Sequence, residues 1–232
     1  MRVLCIIPAR SGSKQIKNKN IIKIGNKPLI YYTISFAKKL KFVDKIIFSS
    51  DSNKYIKIAK SLGIKDFSVR PKYLSNDNAL MANVVKYELK QEYKNFKNIY
   101  DSVLILQPTS PFRNKKIFYK AFKILKNSLY DSVISISEVR DHPFRMKKIL
   151  KRSNRVINFM NLNKECLISR QQLPKVYIRA GSMYFTKVNA FLKSNSLLGK
   201  KVYGFIVNEK FKINVDNFED LLLAKYFINK KI

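Results

Sequence analysis

Two textures of apolar residues alternate along this chain. Short runs rich in Val, Ile, Leu and Phe, at 2–8, 45–50, 101–107, 131–137 and 202–208, have the length and β-branched content of buried strands. Between them, segments near 28–40, 52–61, 78–93 and 114–127 carry apolar residues at helical spacing. In the first helix Ile30, Thr33, Ile34 and Ala37 share one face, and Pro28 stands where the start of a helix tolerates it. Gly63 is placed to end the second. This alternation specifies an α/β fold: a mostly parallel, Rossmann-like sheet with helices on both faces. After residue 138 it weakens, and the stretch 138–178, rich in charge, Asn and isolated aromatics, reads as an insertion within one domain spanning 1–232. Its 144–159 part suits a surface packed on a partner subunit and a flexible flap equally well. Strand-like text returns at 182–186. The chain closes on a helix over 216–232, with Phe218, Leu221, Leu222 and the Lys225 stem at helical spacing and Asp216 as its N-cap.

Composition narrows the classes. The 232 residues are 46% hydrophobic, enough for a sizeable core, while the apolar runs fall far short of a membrane span. Met1 leads straight into a strand without the features of a signal peptide, so a cytoplasmic protein with no membrane partner is expected. Cys5 and Cys166 do not make a disulfide framework, and the single histidine, His142, leaves zinc without ligands and a histidine-based triad without a nucleophile motif. His142 reads first as a turn residue in Asp141-His142-Pro143, with a site role the lesser alternative. The net charge is +32, from 47 basic and 15 acidic residues, a field that attracts polyanions. The lysines are nevertheless spread along the whole chain and form no basic stripe interleaved with aromatics, which favours a solvated surface over a nucleic-acid footprint. A triphosphate would gain from the same field.

In an open parallel sheet, ligands bind beyond the carboxyl ends of the strands. The first such loop reads Pro8-Ala9-Arg10-Ser11-Gly12-Ser13-Lys14, followed by Lys17, Lys19 and Asn20. It is neither a Walker loop nor a dinucleotide fingerprint. Its chemistry still suits phosphate, because small residues let backbone N–H groups approach oxygens while Arg10 and the lysines supply charge.

The order of residues says more. Ile-Ile-Pro-Ala-Arg-x-Gly-Ser-Lys with Lys19-Asn20 resembles the opening signature of the CMP-sialic acid synthetase (acylneuraminate cytidylyltransferase) family. Further blocks resemble that family in order: Gly25-x-Lys27-Pro28-Leu29-Ile30, Ser49-Ser50-Asp51-Ser52, Arg70-Pro71 with Leu74-Ser75-x-Asp77, Gln107-Pro108-Thr109-Ser110-Pro111-Phe112-Arg113, and Arg170-Gln171-Gln172-Leu173-Pro174. The resemblance implies a nucleotidyltransferase fold and transfer of CMP from CTP to an acidic nine-carbon sugar, with Mg2+ and a homodimer whose inserted segment reaches the neighbour's site. Carried over residue by residue, it implies that Arg10, Ser13, Lys19 and Asn20 hold the triphosphate, with Lys19 near the α-phosphate and Arg10 on the departing pyrophosphate. Arg70 and Ser75 would help hold the nucleotide. Gln107, Thr109, Ser110, Arg170, Gln171 and Tyr184 would face the sugar, and Asp216 and Asn214 the metal. Lys19, Arg10 and Asp216 would carry the catalysis.

Two departures stand out. The family's Asp-x-Asp metal pair is here Asn214-Val215-Asp216, with one charge fewer, and Asp216 is shared between metal binding and helix capping. The family's Asn-Gly-Ala is Ala180-Gly181-Ser182, which leaves the sugar open among N-acetylneuraminate, a legionaminate-type sugar and other nonulosonates. Competing readings are the same fold acting on another sugar or base, a poorly active relative, and a basic nucleic-acid-binding module; the last leaves the block at 107–113 without a purpose.

Overall fold

The computed structural model describes residues 1–151, 153–160 and 169–230. In chain order the elements are β1 (Val3–Pro8), the two-residue strands β2 (Lys23–Ile24) and β3 (Lys27–Pro28), α1 (Leu29–Ala37), β4 (Lys45–Ser50), α2 (Asn53–Ser61), β5 (Asp66–Val69), α3 (Met81–Phe96) and β6 (Ser102–Ile105). There follow α4 (Lys115–Asn127), β7 (Ser132–Glu138), β8 (Lys147–Ile149), β9 (Val156–Asn158), β10 (Tyr177–Lys187), α5 (Val188–Ser194), β11 (Val202–Ile206) and α6 (Phe218–Asn229).

Seven strands form one sheet in the order β11-β7-β10-β6-β1-β4-β5. All run the same way except β10, which is antiparallel to both β6 and β7. The mostly parallel α/β sheet expected from the alternation is therefore observed, with one reversed strand that periodicity could not orient. Central β1 is buried along its whole length, and its alternate residues feed two cores. Val3, Cys5 and Ile7 pack with α1, α2 and α4 through Ile34, Tyr55, Ala59, Phe118 and Leu125. Leu4 and Ile6 pack on the other face with Val85 of α3 and Phe191 of α5. The Ile30, Thr33, Ile34 and Ala37 face of α1 is buried as its spacing predicts. Gly63 follows α2 at φ +84°, a conformation that suits glycine, and its N–H closes the last turn on Lys60.

Strand β5 and helix α5 were not anticipated; both are short and lack a clear apolar period. At the C-terminus the structure corrects two expectations. The N-cap of α6 is Asn217, not Asp216: Asn217 Oδ1 accepts from Asp220 N at 2.8 Å, and Asp220 Oδ2 accepts from Asn217 N at 3.1 Å, a reciprocal capping box. That pairing leaves the Asp216 carboxylate free for other work. The helix buries Leu221 and Ala224 against Ile24, Leu29, Ile213 and Val215, while Phe218 and Leu222 are exposed, because one narrow stripe is enough to seal this small third core.

Within 138–178, β8 and β9 pair as a hairpin that carries Met146, Ile149, Leu150, Val156 and Phe159 on the surface. Cys166 lies outside the described residues. Cys5 is buried, and that burial pushes its thiol up to about 12, so it packs as a small apolar residue. His142 is a turn residue: its Nδ1 accepts from Phe144 N at 3.2 Å and its Nε2 lies 3.0 Å from the Pro174 carbonyl, which assigns the ring proton to Nε2. No helix among the described residues is long and apolar enough to cross a membrane.

Candidate functional site

The loops at the carboxyl ends of β1, β4 and β6 meet the bulge of β10 and the segment before α6. The loop after β1 is braced from beneath. Asn20, buried, donates its amide to the Arg10 carbonyl at 2.8 Å, Ser50 Oγ donates to the Ala9 carbonyl at 2.6 Å, and Asp51 accepts from both the N–H and the hydroxyl of Ser11 at 2.8 Å. Ser13 sits half-buried at the turn, its N–H on the Ser11 carbonyl. The loop's cations face across to Asp77, where Arg10 Nη1 and Lys14 Nζ lie 2.7 and 2.6 Å from the two carboxylate oxygens. Those two hydrogen bonds, Lys14's first, hold the Asp77 carboxyl below its ordinary range.

Lys19 reaches the other end of the chain. Its Nζ lies 2.8 Å from Asp216 Oδ1, a contact between residues 197 positions apart. Asn214 donates its amide to Asp216 Oδ2, and its carbonyl accepts from Ser110 Oγ at 3.3 Å. The Thr109 carbonyl accepts from Val215 N at 2.7 Å. The block after β6 thus holds the 214–216 segment by both backbone and hydroxyl. Asp216 is more than half exposed, so its carboxylate can change partners at modest cost.

Beside this cluster opens a cavity of about 570 Å3, lined by Gln107, Tyr184, Gly181 and Asn214 together with Arg140, Arg179 and Lys212. Gly181, at φ +74°, interrupts the β10–β7 register between Arg179 and Tyr184. A Cβ there would stand 3.3 Å from Gln107 Oε1 and 3.5 Å from Ser110 Oγ, so only glycine lets these groups converge. Arg140 and Lys212 both pair with Glu209, at 2.9 and 2.6 Å, along one side.

Of the residues singled out in the sequence, Lys19, Asp216, Asn214, Thr109 and Ser110 form one contiguous cluster, with Gln107 and Tyr184 in the adjoining cavity and Arg10, Ser13 and Asn20 on the first loop. Arg70 is placed differently. It is buried, and its guanidinium donates to Ser49 Oγ at 3.2 Å, the Ser49 carbonyl at 2.9 Å and the Leu74 carbonyl at 3.4 Å. Ser75 Oγ donates to the Pro71 carbonyl at 3.2 Å, and Gln171 is exposed on a short turn. The Arg170 side chain lies outside the described part of the structure.

Several participants went unread in the sequence. Asp77 and Arg113 stood inside quoted blocks with no role assigned. Glu88 carried a signal in its spacing, four and three residues after Val84 and Val85 on the inner face of α3, where it is buried and accepts from Ser49 Oγ at 2.6 Å. Burial raises its pKa, with the Ser49 and Ser68 hydrogen bonds and Arg70 opposing; burial likewise lowers that of Arg70, with Glu88 and Asp51 opposing.

Comparison with known proteins supplies the family. Residues 4–227 match the family described as cytidylyltransferase. The chain is 33% identical over 225 residues to the pseudaminic acid cytidylyltransferase of Campylobacter jejuni, covering 97% of this chain and 95% of that protein. It is 31% identical over 229 residues to the post-translational flagellin modification protein B of Campylobacter coli, covering 99% and 96%. In fold it is similar to a CMP:2-keto-3-deoxy-manno-octonic acid synthetase complexed with CTP, at a TM-score of 0.71, 13% identity and full coverage of both chains.

Proposed function

Since the chain belongs to the cytidylyltransferase family, of the CMP-sialic-acid-synthetase type, we propose that it transfers CMP from CTP to the anomeric hydroxyl of a nonulosonic acid, with release of pyrophosphate. The observation that carries this reading is the Lys19–Asp216 contact. It joins the phosphate-like loop to the segment beside the cavity, where the α-phosphate of a bound nucleotide and an incoming hydroxyl would meet.

The chemistry asked of the protein is positioning and charge. In-line attack on the α-phosphorus spreads negative charge over phosphate oxygens, and fixed cations stabilise it. Lys19 supplies one beside the reacting phosphorus; Arg10 and Lys14, once exchanged from Asp77, supply two for the pyrophosphate. The cavity serves the sugar. Gln107 and Tyr184 offer amide and hydroxyl groups to a polyhydroxylated ligand, and Arg179 offers a fork suited to its carboxylate.

Mg2+ fits the donor set. Among the described residues no three His, Cys, Asp or Glu side chains cluster, so a cage built of protein alone is not on offer. One exposed carboxylate, Asp216, with the Asn214 carbonyl beside it, is what a magnesium ion that also takes phosphate oxygens needs. Such an ion would neutralise charge on the triphosphate. Asp216 accepts from the Lys19 ammonium at 2.8 Å, which supports a cation-binding role for this carboxylate.

The relative from C. jejuni is named for pseudaminic acid, and that favours a pseudaminate-type sugar over N-acetylneuraminate. The Ala180-Gly181-Ser182 departure removes an amide from beside the sugar and so alters which substituents are accepted, without choosing among the nonulosonates. The apolar surface of the β8–β9 hairpin supports a homodimer. The test is pyrophosphate release by purified protein with Mg2+, each of the four nucleoside triphosphates, and a panel of pseudaminic, legionaminic and N-acetylneuraminic acids. Release with CTP and pseudaminic acid is expected; release with no pair would overturn the proposal.

A further inference from the structure

Arg113 closes the block at 107–113 and points back beneath the cavity. Its three hydrogen bonds reach three different segments: Nη2 to the Gln107 carbonyl at 2.7 Å, Nε to the Ser182 carbonyl at 3.0 Å, and Nη1 to Thr33 Oγ1 of α1 at 2.9 Å. The first two acceptors flank the place where Gly181 faces Gln107 Oε1, which a Cβ on Gly181 would approach to 3.3 Å. Neither acceptor carries charge, and among the described residues no carboxylate pairs with Arg113. Desolvation pulls its guanidinium down to about 9, so it remains a cation at neutral pH. Among the described residues its other neighbours include the Phe36 ring, 5.8 Å away, and Cys5. A partly buried cation without a counter-ion costs a fold stability. A rigid plane that directs separate donors from Nε, Nη1 and Nη2 at three acceptors is particular to arginine.

We infer that Arg113 is a positioning residue for the acidic sugar: by tying the Gln107 carbonyl to the Ser182 carbonyl, it fixes the register of the β10 bulge against the loop after β6, so that the Gln107 amide and the Gly181 backbone meet the sugar in one geometry. This rests on the reading that the cavity takes the sugar. Tension in the tie is borne from the other side by Ser135, whose hydroxyl lies 2.9 Å from Ser182 Oγ and accepts from Met183 N at 3.1 Å.

The experiment compares the wild-type protein with Arg113→Lys, which keeps the charge but cannot fork, and with Thr33→Val, which removes only the acceptor remote from the cavity. Hydrogen exchange of the substrate-free proteins reads the tie itself. Faster exchange at 180–183 in Arg113→Lys, with β1 unaltered and Thr33→Val like wild type, is expected. Steady-state kinetics then read its use: the sugar KM of Arg113→Lys should rise about tenfold while the CTP KM stays within about twofold. Unchanged exchange at 180–183, or a sugar KM that does not move, or CTP and sugar KM rising together, would overturn the inference. If Arg113→Lys does not fold, Ser135→Ala loosens the same bulge and should give the same selective rise; an unchanged sugar KM there would overturn it as well. Wild-type protein inactive on every sugar would sink the proposed function alone, since the exchange result stands without turnover.

Discussion

Asn214 offers the sharpest test of the metal proposal, because the structure defines what a second carboxylate would meet. In the native chain its amide donates to Asp216 Oδ2 while its carbonyl accepts from Ser110. Asn214→Asp keeps the Ser110 bond, removes the donor and sets two carboxylates side by side. Like charges about 4 Å apart repel by ~1 kcal/mol in water and by ~4 kcal/mol at an effective dielectric of 20. The Asp216 side chain is 55% exposed, which places the pair toward the watery limit, and Lys19 at 2.8 Å offsets part of the repulsion. Without metal the variant should therefore lose about 1 kcal/mol, or roughly 2–4 °C in Tm for a chain of this size. A divalent cation inverts the sign, since the added charge becomes a ligand; a gain of ~1.4 kcal/mol lowers the half-saturating Mg2+ concentration about tenfold. Pyrophosphate release titrated with Mg2+ at saturating CTP and sugar reads the second number, and thermal unfolding with and without Mg2+ reads the first. A half-saturating concentration that is unchanged or higher would refute the placement of the metal at this pair.

Three further outcomes are expected. Gly181→Ala places a Cβ 3.3 Å from Gln107 Oε1 at a φ of +74°, so stability should fall by ~1–2 kcal/mol and the sugar KM should rise about tenfold or more, read by thermal unfolding and by pyrophosphate release; native sugar kinetics would contradict the cavity assignment. Burial raises the Glu88 pKa in the folded state, so between its unfolded and folded values the native protein binds the extra proton, and stability falls as pH rises through that window. Glu88→Gln keeps an acceptor for Ser49 and should flatten that fall, leaving the variant the more stable form at neutral pH in a Tm series across pH; parallel pH profiles would disprove it. Ile149→Lys on the β8–β9 hairpin puts a charge on an apolar surface and should lower the mass in light scattering from that of the proposed dimer to that of a monomer; a wild-type monomer, or an unaltered mass in the variant, would contradict a dimer built on this hairpin.

Burial of alternating apolar runs is a local property, and so the strands β1, β4, β6, β7 and β11 and the helices α1 to α4 were legible from spacing alone. The site cluster was legible for another reason: its residues sit in loops after strands, where small and charged residues have no core to serve, and their order resembles a family's. What the sequence could not supply is anything set by distant partners. The reversed direction of β10 depends on its pairing with β6 and β7, and Asp216 gave up the cap of α6 because Asn217 and Asp220 satisfy each other there. Helical spacing places Glu88 on the inner face of α3, but only packing shows its partner to be Ser49, and only packing brings Arg113 beneath the cavity floor. A charged side chain's role is fixed by what lies within about 3 Å of it, and for these residues those neighbours come from segments that the linear sequence keeps apart.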